Sequence, residues 1–428
     1  MKKYLRRPVV AWALYDWANS AFALAVMSAF FPVLYGHLGE SANLDEEKSS
    51  HWFFVTLSVS SLVVAISAPL LGAIADRGGS RKKFLATFAL LGVVMTAALY
   101  WVQAGEWQMA LLVYALGTVG FSGANIFYDS LLIEVAEEEE YDQVSAFGYA
   151  LGYLGSGLLL AFNAWMVSRA GSPEGQMQAI RWAFLSVAVW WAVFTVPLLV
   201  AVRESSSNES VSYRQAVREG ITQLRETFGE IRKMKVLVLF LIAYWLYIDG
   251  VNTVIRTAAL IGKTVLNLEV GTLMGVMLLT QAVAFPAALF FGWLGKRIGP
   301  RRGILIGLAV YIVMVFYAWK GLDEAADFYL LGVVVGLVQG GVQSLSRSLF
   351  ARLIPQSKAA EFFGFFNMIG KFASILGPLL MIGMPLLMAG NNERDFIVAL
   401  NILFIVGGFL LWRVDVKAGV QAAKELDD

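Results

Sequence analysis

The chain has 428 residues, of which 58% are hydrophobic and 15% charged, with 33 Lys and Arg against 32 Asp and Glu and a mean hydropathy of +0.66. A soluble domain carries about a quarter charged residues, so these proportions exclude an ordinary globular fold and place the chain in a bilayer. A net charge of +1 says little about partners, but the placement of the charges is informative. The lack of cysteine excludes disulfides, thiolate metal sites and thiol chemistry.

Runs of about 20 mostly apolar residues occur at 9–36, 51–75, 82–103, 107–133, 144–168, 180–202, 236–260, 270–294, 301–320, 327–352, 361–388 and 394–414. The sequence therefore predicts an all-α membrane protein of twelve transmembrane helices. The basic start, Met1 to Arg7, looks like a signal peptide, but the apolar run behind it is far longer than the 7–15 residues of a signal h-region and reads as a retained first span. Both histidines, His37 and His51, fall between the first two spans, so proton chemistry within the membrane would have to use carboxylates. Of the 33 Lys and Arg, 25 lie at the termini and the even-numbered junctions, six at the other junctions, and only Arg256 and Lys371 deep in spans. By the positive-inside rule both termini are cytoplasmic.

The acidic run Glu137-Glu138-Glu139-Glu140 falls on that side, where it reads as a solvated loop or as a contact for basic segments. The longest polar stretch, Arg203 to Lys235, spaces Val217, Ile221, Leu224, Phe228 and Ile231 as an amphipathic helix. It divides the chain into a first bundle at 1–203, a linker at 204–235 and a second bundle at 236–428, six spans to each bundle.

The second half echoes the first. Asp16-x-x-Asn19-Ser20 returns as Asp249-x-x-Asn252-Thr253. The turn Gly72-x-x-x-Asp76-Arg77-x-Gly79-x-Arg81-Lys82 returns as Gly292-x-x-x-Lys296-Arg297-x-Gly299-x-Arg301-Arg302. Asp129-Ser130-Leu131 meets Arg347-Ser348-Leu349, and Phe147-Gly148-Tyr149 meets Phe363-Gly364-Phe365. The offsets all fall between 216 and 233 residues, the mark of a duplicated secondary transporter.

The glycine-aspartate-arginine turn after the second span resembles the signature of the major facilitator superfamily. Tyr15-Asp16-Trp17-Ala18-Asn19-Ser20-Ala21, Ala243 to Val251, and Gln339 to Phe350 continuing through Glu361 to Phe365 are similar to its vacuole-effluxer-like branch. One departure is Ser80, which stands where the superfamily turn has its first basic residue. The resemblance implies two six-helix bundles around a central cavity lined by helices 1, 4, 7 and 10. It also implies that Gly72, Asp76, Arg77, Gly79, Arg81 and Lys82 form a conformational turn, with Asp76 facing a neighbouring helix N-terminus. The branch's fungal namesake is associated with releasing amino acids from the vacuole.

Intramembrane polar groups mark pathways or internal pairs. On that ground the candidate substrate- or ion-binding set is Asp16, Asn19 and Ser20 on helix 1, Asn125 and Asp129 on helix 4, and Asp249, Asn252 and Arg256 on helix 7. Gln339, Gln343 and Arg347 on helix 10 and Asn367 and Lys371 on helix 11 complete it. Gly148-x-x-x-Gly152 with Gly155 reads as close helix packing. Carboxylates, cations and amides together suit a small charged or zwitterionic solute such as an amino acid, moved by alternating access, with protons as the coupling ion and sodium as the alternative. A lipid or lysolipid translocator and a non-transporting sensor on the same fold are the rival readings. No catalytic residues, cofactor, metal or nucleic-acid partner are expected. A monomer in contact with membrane lipids, in the cell (inner) membrane, is expected. Asp129 and Arg347 are expected to pair across the bundles while the cavity opens outward.

Overall fold

The computed structural model describes residues 6–78, 80–204, 222, 226–264, 266, 268–373, 376–377, 379–381 and 395–427. Helix α1 spans Arg7–Ser41. It is followed by α2 (Glu46–Gly78), α3 (Arg81–Ala98), α4 (Trp107–Ser130), α5 (Tyr141–Ser168) and α6 (Pro173–Ala201). The second set is α7 (Lys235–Thr264), α8 (Val270–Ile298), α9 (Pro300–Gly321), α10 (Ala325–Arg352), α11 (Ala359–Phe372) and α12 (Asn401–Arg413), and α13 (Val416–Asp427) closes the chain. Among the described residues, ten helices are long and apolar enough to cross a membrane. The eleventh and twelfth expected spans correspond to α11, which ends at Phe372, and to the 13-residue α12. Of the expected linker at 204–235, residues 204, 222 and 226–235 are described, with 226–233 helical, and the rest lies outside the described residues.

Local sequence sets the helix ends. Pro173 sits in the first turn of α6, where its missing N–H has no partner to lose, and the Ser172 hydroxyl caps Gly175 N at 3.1 Å. Glu324 and Asp327 form a reciprocal capping box at the start of α10. Gly299, at φ 88°, turns the chain between α8 and α9 in a conformation that favours glycine. Helices α1 and α2 reach into the stretch expected as a loop, so His37 and His51 stand on helix ends, both exposed.

Helix α1 is not uniform. Its α-helical Arg7–Ala21 and Phe31–Ser41 flank a π-helical stretch, Phe22–Phe30. Pro32 follows, and a proline ring clashes with the carbonyl four residues back. The wider turn meets that constraint: Phe31 N–H bonds Val26 O, and Ser28 Oγ donates to Ala23 O at 2.9 Å, both five residues back.

The outer surface is apolar, as lipid requires. Ile66 and Val313 are 67% and 68% exposed, a waste of hydrophobic area in water and a match for acyl chains. The two halves meet through α2 against α11 and α5 against α8. At the first crossing a Cβ on Gly72 would run into the Ala360 carbonyl; at the second, one on Gly292 would meet Ala146 Cβ at 2.5 Å. The repeated glycine of the signature turn therefore serves the same close approach in both halves.

Candidate functional site

A cavity of about 550 Å³ lies between the halves. The helical repeat brings Asp16, Asn19 and Ser20 of α1, Asn125 and Asp129 of α4, Gln339, Gln343 and Arg347 of α10, and Asn367 of α11 to its wall. It extends as far as Leu322 and Phe328, at the end of α9 and the start of α10. Its polar floor lies towards the end of the molecule that gathers Arg6, the Glu137–Glu140 run and α13, called here the terminal end.

Arg347 organises the floor. Its Nη1 donates to Asp129 Oδ1 at 2.9 Å and stands 3.7 Å from Asp16 Oδ2. Its Nε donates to Ser145 Oγ and its Nη2 to Ser145 O, both at 2.9 Å. The guanidinium carbon also lies 4.8 Å from the Trp12 ring centroid, 5.3 Å from that of Tyr128 and 4.5 Å from that of Tyr149. A charge only 2% exposed is tolerable because carboxylates, carbonyl, hydroxyl and ring faces together replace its hydration. Asp16 is held less firmly, accepting from Tyr128 OH at 3.0 Å and from Ser20 Oγ at 3.4 Å. Asn367 Nδ2 donates to Asp129 Oδ2 at 3.2 Å, and Asn19 Nδ2 donates to Asn125 Oδ1. Gln343 Oε1 accepts from Tyr153 OH at 3.3 Å. Gly148 makes the floor possible, because a Cβ there would stand 2.8 Å from Tyr128 OH and 2.9 Å from Trp12 Cζ3.

Helix 7 departs from expectation. Asp249 is fully buried, and neither it nor Asn252 nor Arg256 is among the residues lining the cavity. The cause is a break in the eleventh span. Helix α11 stops at Phe372, Ala373 leaves helical geometry at ψ 67°, and Leu376 and Gly377 are helical again. Asp249 caps the resumed helix, its Oδ2 accepting from Leu376 N at 2.9 Å and its Oδ1 from Gly377 N at 2.8 Å and from Thr253 Oγ1 at 3.2 Å. Asn252 Nδ2 takes the Ala373 carbonyl at 2.9 Å on the other side of the break. The second Asp-x-x-Asn-Thr thus bridges two helix ends instead of mirroring Asp16. Arg256 is exposed, and Lys371 is half-buried outside the cavity lining.

The signature turn closes the terminal end. Asp76 accepts from Ala360 N at 3.1 Å and Glu361 N at 2.8 Å, at the start of α11. It also binds Arg81 at 2.7 Å, and Arg81 reaches Glu134 at 3.1 Å. Lys82 Nζ donates to Val202 O at 2.6 Å, Arg77 is exposed, and Gly79 lies outside the described residues. Also between the halves, Arg352 of α10 pairs with Asp142 of α5 at 2.8 Å and donates to Glu138 O at 2.9 Å. The acidic run is a docking point: Arg6 binds Glu140, and Lys424 binds Glu138 at 3.2 Å. Trp12, Tyr128, Tyr149, Ser145, Asp142 and Arg352 are absent from the sequence-derived set. The signal that could have found Trp12 and Tyr128 is an aromatic one helical turn or one residue from a buried aspartate.

Comparison with known proteins gives the lineage. The profile described as "Vacuole effluxer Atg22 like" matches residues 47–140 and 133–424. The uncharacterized MFS-type transporter YxiO of Bacillus subtilis is 34% identical over 431 residues, covering 100% of this chain and 99% of that one. Autophagy-related protein 22 of Kluyveromyces lactis is 24% identical, covering 98% and 96%. Among solved structures, the MFS proton:xylose symporter XylE superposes with TM-score 0.77 at 15% identity over the whole of both chains. The human organic anion transporter MFSD10 gives TM-score 0.70 at 15% identity over 95% of this chain and 99% of that one. Two structural halves meeting at glycine crossings, one cavity between them and matches along the full length lead to one assignment: the chain belongs to the vacuole effluxer Atg22-like branch of the major facilitator superfamily of transporters.

Proposed function

We propose that the protein is a secondary active transporter that moves a small charged or zwitterionic, amino-acid-like solute through the central cavity by alternating access, coupled to protons. The observation that carries this reading is the asymmetry of the cavity. At the terminal end it is sealed by contacts that cross the bundles, namely Arg347 to Asp129 and Ser145, and Arg352 to Asp142. Towards the other end it runs between apolar walls as far as Leu322 and Phe328. The terminal end is the cytoplasmic one by its Lys and Arg content, so this is an arrangement closed on the cytoplasmic side. Buried carboxylates beside a solute path are suitable proton carriers.

Because the chain has no cysteine, the test is direct. A single cysteine at Thr280, in the cavity wall, should react with an impermeant maleimide from the non-terminal side in this state and from the terminal side in the alternate one. Cysteines at Asp142 and Ser348, whose side chains are hydrogen-bonded, joined by oxidation to a disulfide should abolish the second reactivity. Reactivity from one side only, with or without the link, would sink alternating access. Uptake of labelled amino acids into sodium-free vesicles should follow an imposed pH gradient, and indifference to the gradient would remove proton coupling.

A further inference from the structure

We propose that the terminal edge of the second half holds a binding site for an anionic phospholipid, with the lipid phosphate on Arg302 and Arg413 and the acyl chains along the outer faces of α9 and α12. This goes beyond the transport reading and does not depend on which solute the cavity takes.

The duplicated turn places the site in the second half, because its cations have different surroundings in the two copies. In the first half Arg81 binds Asp76 and Glu134, and Lys82 Nζ donates to Val202 O just past the end of α6. Their counterparts are Arg301 and Arg302, and the counterpart of Asp76 is Lys296. The acid that would neutralise the second turn from within is thus replaced by another base. Arg301 Nη1 donates to Trp412 O at 3.3 Å and to Val414 O at 2.5 Å, which fastens the start of α9 to the end of α12. Arg302 follows it in the chain, and Arg413 lies between its two acceptors. Both are exposed, and neither has a hydrogen bond or ion pair among the described residues. The acid next in sequence, Asp415, is turned to the start of α13, where it accepts from Lys417 N and Ala418 N.

Both arginines also end a lipid-facing stripe. Ile306 and Val313 share the face of α9 that carries Arg302, Ile405 and Phe409 share the face of α12 that carries Arg413, and all four are exposed. The Arg413 guanidinium carbon lies 5.0 Å from the Phe409 ring centroid and 5.7 Å from that of Trp412, which holds its charge where the apolar surface ends. Trp412 is 59% exposed and marks that level, since tryptophan gathers at the boundary between acyl chains and headgroups. Across the Gly299 turn, exposed Arg297 lies 4.4 Å from the Trp293 ring centroid and adds to the positive field. Phosphate is the anion that meets guanidinium groups at this depth, and guanidinium groups bind it well. It arrives attached to chains that cover the apolar stripes. A zwitterionic headgroup would bring an ammonium into a place already cationic, whereas a net-negative one brings only the missing charge.

Native mass spectrometry of the delipidated full-length protein tests this, with phosphatidylglycerol and phosphatidylcholine of identical acyl chains offered in equal amounts. Phosphatidylglycerol should be retained at least tenfold more, and Arg302→Gln with Arg413→Gln should reduce its retention at least fivefold. Lys83→Gln with Lys233→Gln removes the same charge from exposed positions elsewhere at the terminal end and should leave retention unchanged. Each arginine substitution alone should cost at least twofold, so the test stands where the double variant does not fold. Millimolar glycerol 3-phosphate, which has the headgroup chemistry without the chains, should not displace the lipid. The inference is overturned if phosphatidylcholine is retained equally, or if the lysine pair lowers retention as much as the arginine pair. It is also overturned if glycerol 3-phosphate competes, since the site would then be one for a free phosphate. None of these outcomes touches the transport reading, because labelling of Thr280→Cys and uptake driven by a pH gradient report on the cavity.

Discussion

The carboxylate of Asp249 accepts two backbone N–H groups and one hydroxyl at the restart of the eleventh span, while that of Asp16 faces the cavity with no backbone donor among its described partners. Substitution should therefore separate the two. Asp249→Ala leaves buried N–H groups of Leu376 and Gly377 unsatisfied, which costs about 1–3 kcal/mol. The expected outcome is a clear fall in the thermal unfolding midpoint of the purified protein, with uptake driven by a pH gradient retained in vesicles holding the folded variant. Asp16→Asn should do the reverse, and a wild-type midpoint for Asp249→Ala would refute the cap. The sequence showed that both residues were costly in a membrane and had to be used. It did not separate a ligand site from a helix cap, because both satisfy the same rule. The distinction depends on where the eleventh span breaks, and Ala373 carries no glycine or proline to announce it; Gly377-Pro378 nearby was the available sign.

Helices α2 and α8 each cross the opposite bundle at a glycine, Gly72 on the backbone of Ala360 and Glu361 and Gly292 on Asp142 and Ala146. At Gly72 the obstacle to a larger side chain is backbone, which cannot rotate away. A methyl group there should hold the terminal end apart. Gly72→Ala and Gly292→Ala should each raise labelling of Thr280→Cys from the terminal side several-fold, and a Gly72→Ala protein labelled like its parent would show that the crossing does not set closure. The paired glycines were legible as a repeat because similar turns at a constant offset survive in the sequence. The π-helical Phe22–Phe30 was not, since its apolar composition is that of any membrane helix and only Pro32 hints at the register change. The floor's aromatic rings escaped for a related reason. Apolar periodicity cannot tell a ring packed on lipid from one packed on a guanidinium.

Across the molecule, closure of the terminal end rests on charge pairs joining the two bundles. Asp129 and Arg347 hold equivalent positions in the two halves of the repeat, and the sequence alone placed them at equal depth with opposite charge. The structure sets them 2.9 Å apart with the terminal end shut. Removing one member strands a buried charge, at about 3–5 kcal/mol in soluble precedents, and every 1.4 kcal/mol shifts an equilibrium tenfold. If the closed terminal end is the state that the pair stabilises, Asp129→Ala and Arg347→Ala should each move the population towards the state open at that end. Terminal-side labelling of Thr280→Cys reports the shift. The exchange Asp129→Arg with Arg347→Asp returns the Coulomb attraction but not the Ser145 bonds or the stacking on Trp12, Tyr128 and Tyr149, which belong to a guanidinium at position 347. Labelling of the exchange should therefore fall between that of Arg347→Ala and the parent. Labelling equal to Arg347→Ala would mean that the ring faces and Ser145, rather than the ion pair, hold the gate. Single variants labelled like the parent would mean that Asp142 and Arg352 close it without help.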